Sequence, residues 1–143
     1  MNNILNLKIR EKHGIAYQVD SNYSPFSDTG VFSIYLGTEE HQLEKAIQLI
    51  EIELKKLREN PMSTRALNGY KTQLKGQLAI SQDSGASLMF NNGKSLWVYN
   101  RINTMKEIFD VIDNITAKEI CSLSEKYLNT EKFFSMAYIP IKD

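Results

Sequence analysis

Few side chains in this sequence could do chemistry as a defined constellation. There are two histidines, His13 and His41, and one cysteine, Cys121. The histidines lie too far apart in the chain to form a local two-histidine metal motif. His41 follows Glu39 and Glu40, residue types that a metal could use. Acidic groups also suit the positively polarised start of a helix, so the simpler reading is a solvated first turn. His13 stands beside Gly14 at the expected end of a helix, where a partly charged imidazole is favourable. A single thiol makes neither an internal disulfide nor a cysteine-based zinc site. Cys121 falls in the apolar rhythm of Ile115, Ile120 and Leu123 and reads as a small buried hydrophobe. Ser27, Asp28 and Ser33 are available for a Ser–His–Asp arrangement, but no serine occupies a Gly-x-Ser-x-Gly elbow. The glycines at 14, 30, 37, 69, 76, 85 and 93 fit neither dinucleotide-binding nor P-loop spacing. The carboxylates are scattered along amphipathic segments and read as a solvated face. No catalytic activity is expected from this chain alone, and its residues call for no metal or cofactor of their own.

The elements around these residues can be read from periodicity and punctuation. Ile4 to Lys12 suggests a fraying helix, and Gly14 a helix stop, because glycine takes left-handed dihedrals without steric cost. Ile15 to Asp20 alternates, with Ile15, Tyr17 and Val19 on one face. Residues 21–30 are rich in turn formers. Val31 to Leu36 alternates again, which predicts an antiparallel pair of strands. Thr38 is a candidate cap for a helix in which Leu43, Ala46, Ile47, Ile50, Leu54 and Leu57 follow the 3.6-residue period. Asn60-Pro61 ends that helix. Ser63 opens the next, with Leu67, Tyr70, Leu74 and Leu78 on one side. Asp83-Ser84-Gly85 breaks or bends the helical run before a further helix over residues 86–101. Thr104-x-x-Glu107 and Thr116-x-x-Glu119 are capping boxes that open two more helices. Phe133 to Ile139 alternates and predicts a final strand. Strands and helices are grouped rather than interleaved, which indicates an α+β fold with a mostly antiparallel sheet against a layer of helices. Three predicted strands are few for a stable sheet. The whole chain, residues 1–143, therefore reads as a single partial domain lacking one or two N-terminal strands.

Composition narrows the partners. In 143 residues, Lys+Arg and Asp+Glu are both 17, and a balanced charge argues against a nucleic-acid binder and gives no reason to expect an anionic membrane surface. No segment approaches the ~18 apolar residues of a membrane span. The first residues lack the basic-then-apolar layout of a signal peptide. The reading is a soluble protein of the cytoplasm or periplasm of a bacterium, and exposed apolar strand edges would favour self-association.

One run carries more. Ile9-Arg10-Glu11-Lys12-His13-Gly14-Ile15-Ala16-Tyr17 resembles the signature of the pitrilysin/insulinase-type zinc peptidases, a family that includes the mitochondrial processing peptidases. The likeness continues through Tyr23 to Gly30, with its Asp28-Thr29-Gly30 ending, through Phe32 to Thr38, and through Gln73-Leu74-Lys75-Gly76. Met1-Asn2-Asn3-Ile4-Leu5 is similar to the segment that follows a glycine-rich turn in that family.

The resemblance implies an enzyme of two α+β halves that close over a chamber, and a C-terminal half that begins earlier than this sequence, with at least a strand and a long helix. Zinc is held by the other half through an inverted His-x-x-Glu-His motif, which is absent here. The half resembled by this chain directs an arginine and a tyrosine, seven residues apart, at the substrate. Arg10 and Tyr17 match that pair. As a zinc-bound hydroxide attacks a peptide carbonyl, charge develops on its oxygen, and a guanidinium and a phenol can donate to it. The peptide would bind extended, along a sheet edge. Without the resemblance, Arg10 is a surface arginine and Tyr17 a half-buried strand tyrosine. The implied partners are the zinc-binding half, in the same polypeptide or a partner subunit, and a peptide substrate. The alternative reading is a non-catalytic assembly or peptide-binding module of the same family.

Overall fold

A computed structural model describes residues 4–81 and 84–140. The chain divides into two compact units, one formed by residues 1–59 with 124–143 and the other by 60–123. Helices and an antiparallel sheet are both present and segregated along the chain, so the fold is α+β.

In the first unit, the N-terminal helix is wound wide, as a π-helix over Asn6–Lys12. Leu5 and Ile9 on one side of it are buried. Gly14 ends it with φ +62°, a left-handed value that a side chain makes costly. The turn is closed by the Gly14 N–H, which donates to the Arg10 carbonyl at 3.0 Å, and the Ile15 N–H, which donates to the Ile9 carbonyl at 3.2 Å.

Two strands follow, β1 (Ala16–Pro25) and β2 (Gly30–Thr38). They pair antiparallel with Val19 opposite Leu36 and Tyr23 opposite Phe32. The hairpin is longer than its composition suggests, since residues 21–25 belong to β1 and only 26–29 make the connection, closed by the Phe26 N–H donating to the Thr29 carbonyl at 2.8 Å. Ser21 and Asn22 are exposed and Ser24 is half-buried; their polarity goes with a solvated strand, not a turn. Gly30 lies under the Tyr23 ring: a Cβ there would oblige that exposed ring to shift.

Ile34 and Leu36 of β2 pack on a core of Leu5, Ile9, Ile15, Ala16, Val19 and Ala46. Ala46 comes from α1 (Leu43–Glu59), whose Leu49 and Ile50 pack on the same cluster. Thr38 does not cap this helix. Its hydroxyl donates to the Ile15 carbonyl at 2.5 Å, tying the end of β2 to the start of β1. A 3-10 turn over Glu40–Gln42 leads into α1 instead.

The predicted final strand is not formed. Phe133 to Ile139 carries no ladder among the described residues, and the sheet has two strands. Alternation describes a segment that could lie half-buried in a sheet, but a strand exists only when a neighbour supplies the hydrogen bonds. Phe134, Met136 and Tyr138 share one side of the alternation and are exposed, while Phe133 meets Phe32 edge-on at 6.4 Å between ring centroids.

The second unit is helical and its boundaries follow local chemistry. The Ser63 hydroxyl accepts the Ala66 N–H at 3.3 Å and opens α2 (Thr64–Ser81). The Ser84 hydroxyl does the same for Ser87 and opens α3 (Gly85–Tyr99); Asp83, the first residue of the expected break, lies outside the described residues. Both capping boxes form as expected, opening α4 (Met105–Asn114) and α5 (Ala117–Tyr127). Lys75 on α2 grips both carboxylate oxygens of Asp113 on α4 at 2.7 and 2.9 Å, and Lys71 donates to the Asp113 carbonyl at 2.8 Å. Cys121 on α5 is partly rather than fully buried; the buried residue of that helix, Ser124, belongs to the first unit. No described helix is long and apolar enough to cross a membrane.

Candidate functional site

Arg10 and Tyr17 stand on either side of the Gly14 turn, in the part of the molecule with the best-formed core. Their neighbours Ile9, Ile15 and Ala16 are all buried in one cluster, so the backbone that carries both side chains is anchored while the side chains themselves face solvent. Arg10 lies in the π-helical turn, a rare geometry that is frequent at functional sites. Its side chain makes no hydrogen bond or ion pair with the described residues.

Tyr17 reaches solvent for a specific reason. The register runs Ala16 opposite Thr38 and then Gln18 opposite Gly37, so Tyr17 is the extra residue of a β-bulge. A bulge interrupts strict alternation and re-aims the side chain at the insertion. The expectation that Ile15, Tyr17 and Val19 share one face therefore fails at its middle member. Ile15, Ala16 and Val19 are buried and Tyr17 is 65% exposed. A half-buried strand tyrosine is not what the structure contains.

The phenol has a partner that sequence periodicity did not single out. Tyr17 Oη donates to Glu39 Oε1 at 2.6 Å, a length typical of a hydrogen bond to a charged carboxylate. The other oxygen, Oε2, lies 3.3 Å from His41 Nδ1. Donation to Glu39 holds the Tyr17 phenol above the ordinary tyrosine range, with partial burial and the carboxylate charge acting in the same direction; it is protonated at neutral pH. Glu39 and His41 thus touch each other on the surface beside Tyr17. No group of three His, Cys, Asp or Glu among the described residues could hold a metal. The described residues do not fit a zinc site.

Comparison with known proteins identifies the family of this α+β chain. Residues 1–74 match the model of the peptidase M16 inactive domain, and the chain belongs to that family. It is 31% identical over 125 residues to the uncharacterized zinc protease YmxG of Bacillus subtilis (strain 168), covering 87% of this chain and 30% of that protein. It is 26% identical over 97 residues to the beta subunit of the mitochondrial-processing peptidase of Saccharomyces cerevisiae, covering 66% of this chain and 21% of the subunit. The crystal structure of a peptidase M16 inactive domain from Pseudomonas fluorescens shares the fold, with a TM-score of 0.75 at 23% identity, over 90% of this chain and 30% of that one. The chain therefore spans about a third or less of the length of these relatives.

Proposed function

We propose that this chain acts as the C-terminal, non-metal-binding part of a zinc endopeptidase. It contributes substrate contacts and helps close the chamber, and is inactive alone. Zinc and the chemistry it supplies belong to the other half, in the same polypeptide or a partner subunit. The observation that carries this reading is the pairing of an exposed Arg10 with a bulge-exposed Tyr17 on an anchored backbone. A strand tyrosine is more cheaply placed against the core, where its ring area would be buried. Here the bulge turns it outward instead.

An exposed guanidinium and phenol suit a peptide carbonyl that gains negative charge. Both donate hydrogen bonds, and the guanidinium keeps its charge at any relevant pH. Donors set in advance where charge develops lower the barrier without reorganising during the reaction.

The test is Arg10→Ala and Tyr17→Phe, each in the enzyme assembled with its zinc-binding half. Each substitution is expected to lower turnover by about 10²–10³-fold, the usual loss on removing an oxyanion donor, while zinc content stays unchanged. Near-normal turnover in both variants would leave the chain as a non-catalytic assembly module.

A further inference from the structure

We infer that Glu39 is a positioning residue for Tyr17: its carboxylate fixes the direction of the phenol, so that the ring meets a bound peptide in one orientation. The inference rests on the substrate-contacting role proposed for Tyr17. It begins from the bulge. As the inserted residue, Tyr17 has no cross-strand partner on β2, and its ring is 65% exposed. Packing therefore does little to choose among its staggered rotamers. A group that must meet one atom of a substrate would then be misplaced much of the time, and misplacement is costly in rate.

The bond to Glu39 supplies the missing constraint. It spans 22 residues of sequence and closes at 2.6 Å. Glu39 is itself well held. Its backbone is extended at φ −79°, ψ 149°, between the end of β2 and the 3-10 turn. Its carbonyl accepts the Gln42 N–H at 2.9 Å. Its second carboxylate oxygen faces His41. The preceding residue, Thr38, is tied by its hydroxyl to the Ile15 carbonyl. Glu39 is thus set down beside Tyr17 by contacts on both sides of it.

A phenol has a single O–H to donate, and in this arrangement it donates to Glu39. The remaining lone pairs of Tyr17 Oη can accept a peptide N–H directly. Donation to a charged substrate oxygen requires the hydroxyl to exchange one anionic acceptor for another, with the ring already in place. In both cases Glu39 determines where the ring stands.

The experiment uses the assembled enzyme with Glu39→Ala, Glu39→Gln, Tyr17→Phe and the double variant Glu39→Ala/Tyr17→Phe. Glu39→Ala is expected to lower kcat about tenfold with little change in KM, the scale of one charge-assisted hydrogen bond. Glu39→Gln keeps an acceptor oxygen and should recover activity to within about twofold of the parent. The double variant should be no slower than Tyr17→Phe, because Glu39 acts only through the phenol. A second readout needs no turnover: tyrosinate absorbance, with the Tyr17→Phe titration subtracted, should show Tyr17 ionising at lower pH once Glu39 is alanine.

A Glu39→Ala enzyme as fast as the parent or faster, or a loss that adds to that of Tyr17→Phe, overturns the positioning role and leaves the proposed function standing. Normal turnover in Tyr17→Phe overturns the catalytic role of Tyr17 itself, and the absorbance titration then decides alone whether Glu39 orients the phenol.

Discussion

The two units of the chain are held in different ways. The unit with the hairpin has a continuous apolar core in which Ile9 and Val19 are completely buried. In the helical unit, by contrast, Leu67 and Ile112 are the buried hydrophobics among the described residues, and most apolar side chains of α3 lie open, with Trp97 at 91% exposure and Phe90 at 73%. What organises the helical unit is largely local: serine and threonine caps and the Lys71–Lys75–Asp113 clamp between α2 and α4. Position is maintained where Arg10 and Tyr17 stand, and the contrast teaches why. A residue offered to a substrate needs a backbone fixed by packing from several directions, and the first unit alone provides it here.

This contrast can be broken at its strongest point. Ile9→Ala should destabilise the protein by about 2–5 kcal/mol, the usual cost of emptying a filled core position. Denaturant unfolding measures it, and a cost below about 1 kcal/mol would show that the cluster does not govern stability. A smaller effect sharpens the other side. Thr104→Ala should remove about 1 kcal/mol of helix-capping stability.

The same cap gives a pH dependence. Hydrogen bonds from the Thr104 N–H and then its hydroxyl hold the Glu107 carboxyl below its ordinary value, with Arg101 adding to the effect; Thr116 does the same for Glu119, with Lys71 contributing. A carboxylate with a lowered folded pKa stabilises the fold above its unfolded value, and that contribution disappears as pH falls through the lowered one. Helical circular dichroism should therefore drop on acidification past the ordinary glutamate value near 4.5. The drop should be smaller in a Thr104→Ala/Thr116→Ala variant, and an equal drop in both proteins would count against the caps as its source. The smallest effect is expected at Trp97→Ala, within about 0.5 kcal/mol, because a side chain in solvent has little packing to lose.

Much of this protein was legible without its structure because the relevant physics is local. Gly14, Pro61, Ser63, Ser84 and the two capping boxes each act within one helical turn, through a dihedral preference or a hydrogen bond to a residue three positions away. They mark element ends whatever the rest of the chain does. The α+β class and the exposed Arg10 were readable for the same reason. Alternation was less dependable. It located both strands of the hairpin, but it also suggested a third at Phe133 to Ile139, where nothing among the described residues completes the ladder.

The face that Tyr17 presents was decided only in three dimensions. A bulge is a mismatch between two strands, and neither strand shows it alone. The contact between Tyr17 and Glu39 depends on that mismatch and on the register that brings Thr38 back to Ala16. Sequence determined which residue types stand around the Gly14 turn. The tertiary structure decided which of them faces outward and what holds it, because register and packing are properties of pairs of segments that meet only after the chain has folded.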